Sequence, residues 1–91
     1  MDLEIRHDTQ ARQFYCTVEN LRCLIDYRLD GDVMSITHTL VPPALEGRGI
    51  AAQLTRHALE TAKNQHWKVH PLCSYAAAYI RRHPEYADLL A

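Results

Sequence analysis

The sequence predicts a single domain of mixed α and β structure (α/β in content, α+β in arrangement) that spans residues 1–91. The sheet is expected to be mixed, with an antiparallel meander joined to a β-α-β crossover and helices covering the sheet. Apolar and polar residues alternate over the first forty residues, as in half-buried strands, and apolar residues recur at helical spacing after residue 49. A short apolar segment then follows, and a strand–helix–strand order of this length produces a parallel pair.

Strand patterns occupy the N-terminal part of the chain. Residues 3–5 are expected to begin the sheet, and residues 14–18 and 21–29 alternate between apolar and polar side chains. Asp30-Gly31 follows immediately and predicts a hairpin, because this dipeptide suits the positive φ angles of a type I′ turn. The partner strand is predicted over Val33–Val41, which is rich in β-branched residues.

Helical patterns dominate the rest of the chain. An amphipathic helix of about four turns is predicted from Ile50, since apolar residues recur there every three or four positions. Trp67–Leu72 predicts a short buried strand, and Ser74–Arg82 a second helix with basic residues at its C-terminus. Pro84–Leu90 predicts a last short helix that opens on a proline.

Composition limits the possible functions. The net charge is −1 and the basic residues are scattered, which argues against a nucleic-acid-binding surface. No apolar run approaches the ~20 residues that cross a membrane, and the start of the chain lacks a signal-peptide pattern. We therefore expect a cytoplasmic protein without membrane contacts, either a monomer or a weak homodimer. The cysteines Cys16, Cys23 and Cys73 are odd in number and, like the histidines, lack metal-ligand spacing, so reduced thiols and no metal site are expected.

The segment Glu46–Ala51 lies between a predicted strand and a predicted helix. Gly47 and Gly49 allow a tight turn and the close approach of a ligand to the backbone. The first amides of a helix have no intrahelical partners and bind anions such as phosphate, and Arg48 adds a positive charge. A plain strand–helix connection without a ligand is the alternative. A dinucleotide fingerprint fits less well because its third glycine is missing, and a P-loop is excluded because G-K-[ST] is absent.

Several segments of the chain resemble, in the same order, the small GCN5-related N-acetyltransferase-like family. The segments are Thr37-His38-Thr39, Val41-Pro42, Gly47-Arg48-Gly49-Ile50-Ala51, Pro71-Leu72-Cys73-Ser74-Tyr75 and His83-Pro84-Glu85-Tyr86. The resemblance covers nearly the whole chain and is weakest before Asn20. The chain departs from the family pattern at Glu46, where arginine or glutamine is usual, which leaves the identity of the amide donors open.

This resemblance implies a cofactor, acetyl-CoA or CoA, in a cleft where two parallel strands splay apart. The pantetheine arm would meet the backbone near Leu40 and Val41. The pyrophosphate would meet the amides of Gly47, Arg48, Gly49, Ile50 and Ala51. In larger acetyltransferases a tyrosine on the second helix can protonate the departing CoA thiolate, and Tyr79 is the candidate by position. Packing of Tyr75 and Tyr79 against the sheet is the structural alternative.

Two residues are the candidates for catalysis. Cys73 precedes a predicted helix, whose N-terminus lowers the pKa of a thiol and favours the nucleophilic thiolate; a small buried thiol is the alternative. His38 is predicted on the strand face that carries Met34, Ile36 and Leu40, either as a hydrogen-bonded core or cleft histidine or as a general base. The family resemblance implies that Cys73 and His38 act as a pair.

The function predicted on this basis is acetyl transfer from acetyl-CoA to an amine, carried by a small molecule or a protein. A non-catalytic CoA-binding or acyl-CoA-binding module that acts through a partner is the alternative. It is a serious one because the chain lacks the N-terminal helices that usually shape the acceptor pocket. A purely structural domain, which would bind no CoA, is the third possibility. No acidic or basic docking surface in the sequence identifies the acceptor.

Overall fold

The first half of the chain forms an antiparallel meander in the computed structural model, which describes residues 2–91. Met1, the first residue of the predicted domain, lies outside the described residues. The four strands of the meander are β1 (Arg6–Asp8), β2 (Gln13–Val18), β3 (Leu21–Asp30) and β4 (Val33–Leu40). The hairpin between β3 and β4 is confirmed. Only Gly31 has a positive φ there (59°), so the predicted type I′ turn, which needs two such residues, was wrong.

The start of the sheet also differs from the prediction. The first strand begins at Arg6 rather than within residues 3–5. Leu3 and Ile5 are half-buried and pack against the hydrophobic core without joining a strand. Their apolar character therefore reflects contact with the core and not strand pairing.

The second half of the chain contains the predicted crossover. A 3₁₀ turn (Pro43–Leu45) leads into α1 (Ile50–Asn64), which connects β4 to β5 (Lys68–Pro71). The strand order is β1-β2-β3-β4-β5, and β5 pairs with β4 in parallel. The chain continues through α2 (Ser74–Arg82) and a 3₁₀ segment (Pro84–Leu89). The mixed sheet and its helices are thus as predicted.

Both helices pack on one face of the sheet. The buried side chains of the strands and of both helices form one cluster, and α1 contacts α2 directly. The buried strand residues are Phe14, Cys16, Cys23, Ile25, Tyr27, Met34, Ile36 and Val69. The predicted helix cover is therefore confirmed for this face. The other face, which we call the open face, carries half-buried and exposed side chains such as Tyr15, Leu24 and Asp26.

A β-bulge in β4 decides which residues face the core. Asp26 and Tyr27 are consecutive on β3, but they pair with His38 and Ile36, so Thr37 is the extra residue on β4. The next pair joins Ile25, which is fully buried, to Thr39. Because paired residues point to the same face, Thr39 shares the helix-covered face with Ile25.

The bulge reverses the prediction for His38. A strict period of two places His38 with Met34 and Ile36, but the extra residue shifts the alternation by one position. His38 therefore lies opposite Asp26 on the open face and is exposed. The predicted face of His38 was wrong, for this physical reason.

None of the helices within residues 2–91 is long and apolar enough to span a membrane.

Candidate functional site

The end of β5 creates a cleft. The carbonyl oxygen of Ile36 accepts hydrogen bonds from the amides of both Leu72 (3.0 Å) and Cys73 (2.9 Å). Ile36 opposite Pro71 is also the last pair between the two parallel strands, and β4 continues to Leu40 without β5. The strands therefore diverge beyond Ile36. Open α/β sheets bind ligands at such carboxyl ends of parallel strands.

The cleft has a volume of about 510 Å³. Thr39 at the end of β4 and Val41 just after the strand line one wall, and Cys73 and Tyr75 at the start of α2 line the other. The turn between β4 and α1 and the first residues of α1 complete it. Two segments that are distant in sequence, residues 39–52 and 73–75, thus converge on one concave surface.

The turn from Glu46 to Gly49, which we call the glycine turn, has positive φ angles at both of its glycines. Gly47 has φ 83° and Gly49 has φ 78°, and Gly49 is the N-cap of α1. A Cβ atom added to either residue would meet no heavy atom of the protein within 4 Å. Glycine is therefore required for conformation and not for room within the protein. The turn is followed by the first amides of α1, which have no intrahelical partners and are available to an anion.

The predicted anion-binding residues Gly47, Gly49, Ile50 and Ala51 all line the cleft. Arg48 does not: its guanidinium forms a salt bridge with Glu19, in the turn between β2 and β3, and hydrogen-bonds the carbonyl of Ala44 (3.4 Å). The part of Arg48 in phosphate binding stays a prediction, and it requires exchange of the exposed Glu19 carboxylate for phosphate.

Cys73 occupies the N-cap position of α2 and is partly buried in the cleft. Its Sγ atom donates a hydrogen bond to Oγ1 of Thr39 across the cleft (3.4 Å). Burial raises the pKa of the Cys73 thiol, but interactions with the Thr39 hydroxyl and with the amides of Ala76 and Tyr75 outweigh it, so the pKa is lowered. The thiol itself makes no capping hydrogen bond to the helix. The two amides therefore act mainly on the thiolate form.

The other two cysteines differ from Cys73. Cys16 and Cys23 pair across β2 and β3 and are buried in the core. Burial, together with Cys23, raises the pKa of Cys16 to about 11, and burial also raises the pKa of Cys23. Cys73 is therefore the cysteine best suited to react at neutral pH.

The structure does not bring every predicted site residue to the cleft. His38 and Leu40 lie at the cleft end of β4 but on the open face, and Leu40 is 44% exposed. Tyr79 is buried and stacks on the ring of His83 (3.9 Å between centroids). Tyr75 lines the cleft instead, one helical turn nearer to Cys73.

Thr39 and Tyr75 are two polar residues of the cleft that the predicted site did not include. Tyr75 carried a usable signal, because it lies in the first turn of a helix that follows a parallel strand. Thr39 carried no such signal in the sequence, since the direction of its side chain depends on the bulge at Thr37. Burial raises the pKa of Tyr75, although Arg82 lowers it, so the phenol is protonated at neutral pH.

Most of the chemistry of the cleft suits CoA. Its walls are largely apolar, it ends at a helix N-terminus, and the two positive-φ glycines keep side chains away from the turn. Glu46 also lines the cleft, and its carboxylate opposes an anion there. Within residues 2–91, no three histidine, cysteine or acidic side chains converge in a way that could hold a metal ion.

Comparison with known proteins gives consistent similarities. The family model described as GCN5-related N-acetyl-transferase matches residues 13–89, which include both walls of the cleft. Protein NATD1 of Mus musculus is 33% identical over 85 residues, covering 90% of this chain and 77% of that protein. Protein NATD1 of Homo sapiens is 32% identical, covering 90% and 75%.

A solved structure shares the fold. The NMR solution structure of a GCN5-like putative N-acetyltransferase from Staphylococcus aureus has a TM-score of 0.78 to this chain. The two are 28% identical in sequence, and the similarity covers 98% of this chain and 88% of the other.

Proposed function

The chain belongs to the GCN5-related N-acetyltransferase family, and we propose that it transfers an acetyl group from acetyl-CoA to an amine. The observation that carries the proposal is the position of Cys73. It lies in the cleft between the diverging strands, opposite Thr39 and near the glycine turn. We further propose that the protein acts in the cytoplasm, as a monomer or a weak homodimer.

The residues that would hold the CoA portion are those of the turn and the adjoining wall. Gly47, Gly49, Ile50 and Ala51 line the cleft, and the free amides at the start of α1 suit the pyrophosphate. The backbone near Val41 suits the amide groups of the pantetheine arm, since β4 has no strand partner on that side after Ile36. Bound acetyl-CoA would supply an activated acetyl thioester beside Cys73.

The proposed reaction has two steps. The Cys73 thiolate attacks the acetyl carbonyl carbon, a new carbon–sulfur bond forms, and the bond to the CoA sulfur breaks. Tyr75 donates its phenolic proton to the departing sulfur and regains a proton from water. A neutral amine then attacks the carbonyl carbon of acetyl-Cys73. The bond between that carbon and the Cys73 sulfur breaks, the amide product leaves, and the sulfur takes the proton that the amine nitrogen loses.

His38 has a separate place in this proposal. It lies on the open face, next in sequence to Thr39, and its ring is exposed. An amine that approaches from the open face would reach His38 before the cleft. We propose that His38 takes a proton from the protonated amine there, without a hydrogen bond to Cys73, so that the amine is neutral when it attacks.

Intact-mass measurement after addition of acetyl-CoA tests the covalent step. The wild-type protein should gain one acetyl group, and Cys73→Ala should not. Cys16→Ala is the control, because Cys16 is buried with a raised pKa and should leave the adduct unchanged. Amine acetylation that continues at the wild-type rate in Cys73→Ala would refute the covalent step. That result would indicate direct transfer of the acetyl group from acetyl-CoA to the amine.

The open face supports a second candidate function. No helix covers it, so the described part of the chain does not enclose an acceptor pocket. A module that binds CoA without catalysis would need no such pocket. CoA binding by calorimetry, combined with the absence of an acetyl adduct and of acetylated product across a panel of amines, would favour this alternative.

A further inference from the structure

The bulge at Thr37 places a hydroxyl beside the reactive sulfur. Without the extra residue, the alternation along β4 would turn position 39 toward the open face. With it, Thr39 pairs with the buried Ile25 and points into the cleft. The Oγ1 atom of Thr39 and the Sγ atom of Cys73 are 3.4 Å apart, although the residues are 34 positions apart in sequence.

A hydroxyl can serve both protonation states of a thiol. It carries one proton and two lone pairs, and it rotates freely to present either. The Thr39 hydroxyl accepts a hydrogen bond from the thiol in this structure, and it can donate a hydrogen bond to the sulfur once the thiol is ionised. Hydrogen bonds to a charged partner are stronger than those between neutral groups, so the contact favours the thiolate.

We propose that Thr39 is a positioning residue that fixes the direction of the Cys73 sulfur and stabilises its thiolate. The proposal rests on the proposed function of Cys73 as the acetyl acceptor. The bulge in β4 is part of this role, since the bulge alone turns the Thr39 hydroxyl toward the cleft.

The electrostatics of the cleft agree with this role. Burial opposes ionisation of Cys73, and the Thr39 hydroxyl is the strongest of the interactions that lower the pKa of the thiol. Glu46 and Tyr75 are the titratable side chains that line the cleft from the glycine turn and from α2, and His38 of β4 faces the opposite side. None of these three side chains is among the causes of the lowered pKa.

The test measures the ionisation of Cys73 directly. Iodoacetamide alkylates thiolates, and the rate for the Cys73 peptide can be followed by mass spectrometry from pH 5 to pH 10. Thr39→Val keeps the shape and removes the hydroxyl, so alkylation at pH 7 should slow roughly tenfold, the value of one hydrogen bond to a charged group. Thr39→Ser should restore the wild-type profile.

Matched variants separate this effect from a change in folding. Thr17→Val removes an exposed hydroxyl of β2, outside the cleft and away from the bulge, and should leave the profile of Cys73 unchanged. Thr39→Ala serves if Thr39→Val does not fold. A wild-type profile in both Thr39→Val and Thr39→Ala would overturn the proposal.

The failure of this proposal and that of the proposed function give different results, because alkylation needs no acetyl-CoA. Unchanged alkylation with normal formation of acetyl-Cys73 would remove the role of Thr39 alone. Slower alkylation in Thr39→Val, without any acetyl adduct on the wild-type protein, would support the hydrogen bond and refute acetyl transfer through Cys73.

Discussion

Substitution of Gly49 by alanine separates the conformational role of the glycine turn from its role in binding. The φ of Gly49 is 78°, and the added Cβ would meet no protein atom within 4 Å, so the cost is backbone strain without a clash. That strain is about 1–2 kcal/mol, and the reduced freedom of the unfolded chain offsets about 0.4–1 kcal/mol of it. We expect a net loss of about 1 kcal/mol in the free energy of unfolding, or roughly 4–8 °C in Tm.

Gly31→Ala is the matched control. Gly31 also has a positive φ (59°) and open space around it, but it lies in the β3–β4 hairpin, far from the cleft in the sheet topology. Both variants should lose similar stability in urea unfolding. Only Gly49→Ala should lose CoA affinity in calorimetry, by roughly tenfold, the value of one hydrogen bond to a charged group. Equal CoA affinity in both variants would refute the placement of the pyrophosphate at this turn.

Three further predictions concern the cleft and the core. Tyr75→Phe should lower the rate of acetyl transfer by about 10²-fold, a typical value for loss of a general acid. Tyr79→Phe should leave the rate near that of the wild type, because Tyr79 is buried against His83. Equal rates in the two variants would contradict the role of Tyr75 as the general acid. Glu46→Gln should strengthen CoA binding by roughly two- to fivefold at low salt, because it removes a like charge worth about 1 kcal/mol at close range in water. The gain in affinity should fall with added salt. Glu85→Gln on the exposed 3₁₀ segment is the control, and calorimetry that shows the same change in affinity for both variants would exclude a local effect of Glu46. Burial and the neighbouring His57 lower the pKa of His7, against the weaker effect of Asp8, so the unfolded chain binds the proton more readily than the folded chain. The contribution of His7 to the free energy of unfolding should be complete above about pH 6.5 and should fall as the pH drops below it. His7→Gln keeps a polar group near the hydroxyl of Tyr27 and should flatten that fall in urea unfolding, whereas His70→Gln should not.

The order of the elements could be predicted because local patterns determine it. The helical spacing after Ile50, the strand alternation of β2 and β3 and the glycine at position 31 each act over a few residues. The parallel pairing of β4 and β5 followed from the length of the connection between them. These features need no knowledge of distant contacts.

The site could be predicted only in part, because it depends on one register shift. The glycine turn and Cys73 were identified from local signals, and both line the cleft. His38 and Thr39 exchange faces because Thr37 is inserted opposite the Asp26–Tyr27 peptide. Threonine is common in regular strands, so its presence at position 37 does not indicate a bulge.

The same shift gives the two faces of β4 different chemistry. On the helix-covered face, Thr39 meets Cys73, and the glycine turn offers amides to an anion. On the open face, His38, which precedes Thr39 in the strand, is exposed opposite Asp26. The transfer that we propose uses an ionised sulfur in a partly buried cleft and a proton acceptor within reach of solvent. A bulge of one residue places Thr39 beside the Cys73 sulfur and His38 on the open face, because without it His38 would turn toward the cleft and Thr39 away from the sulfur.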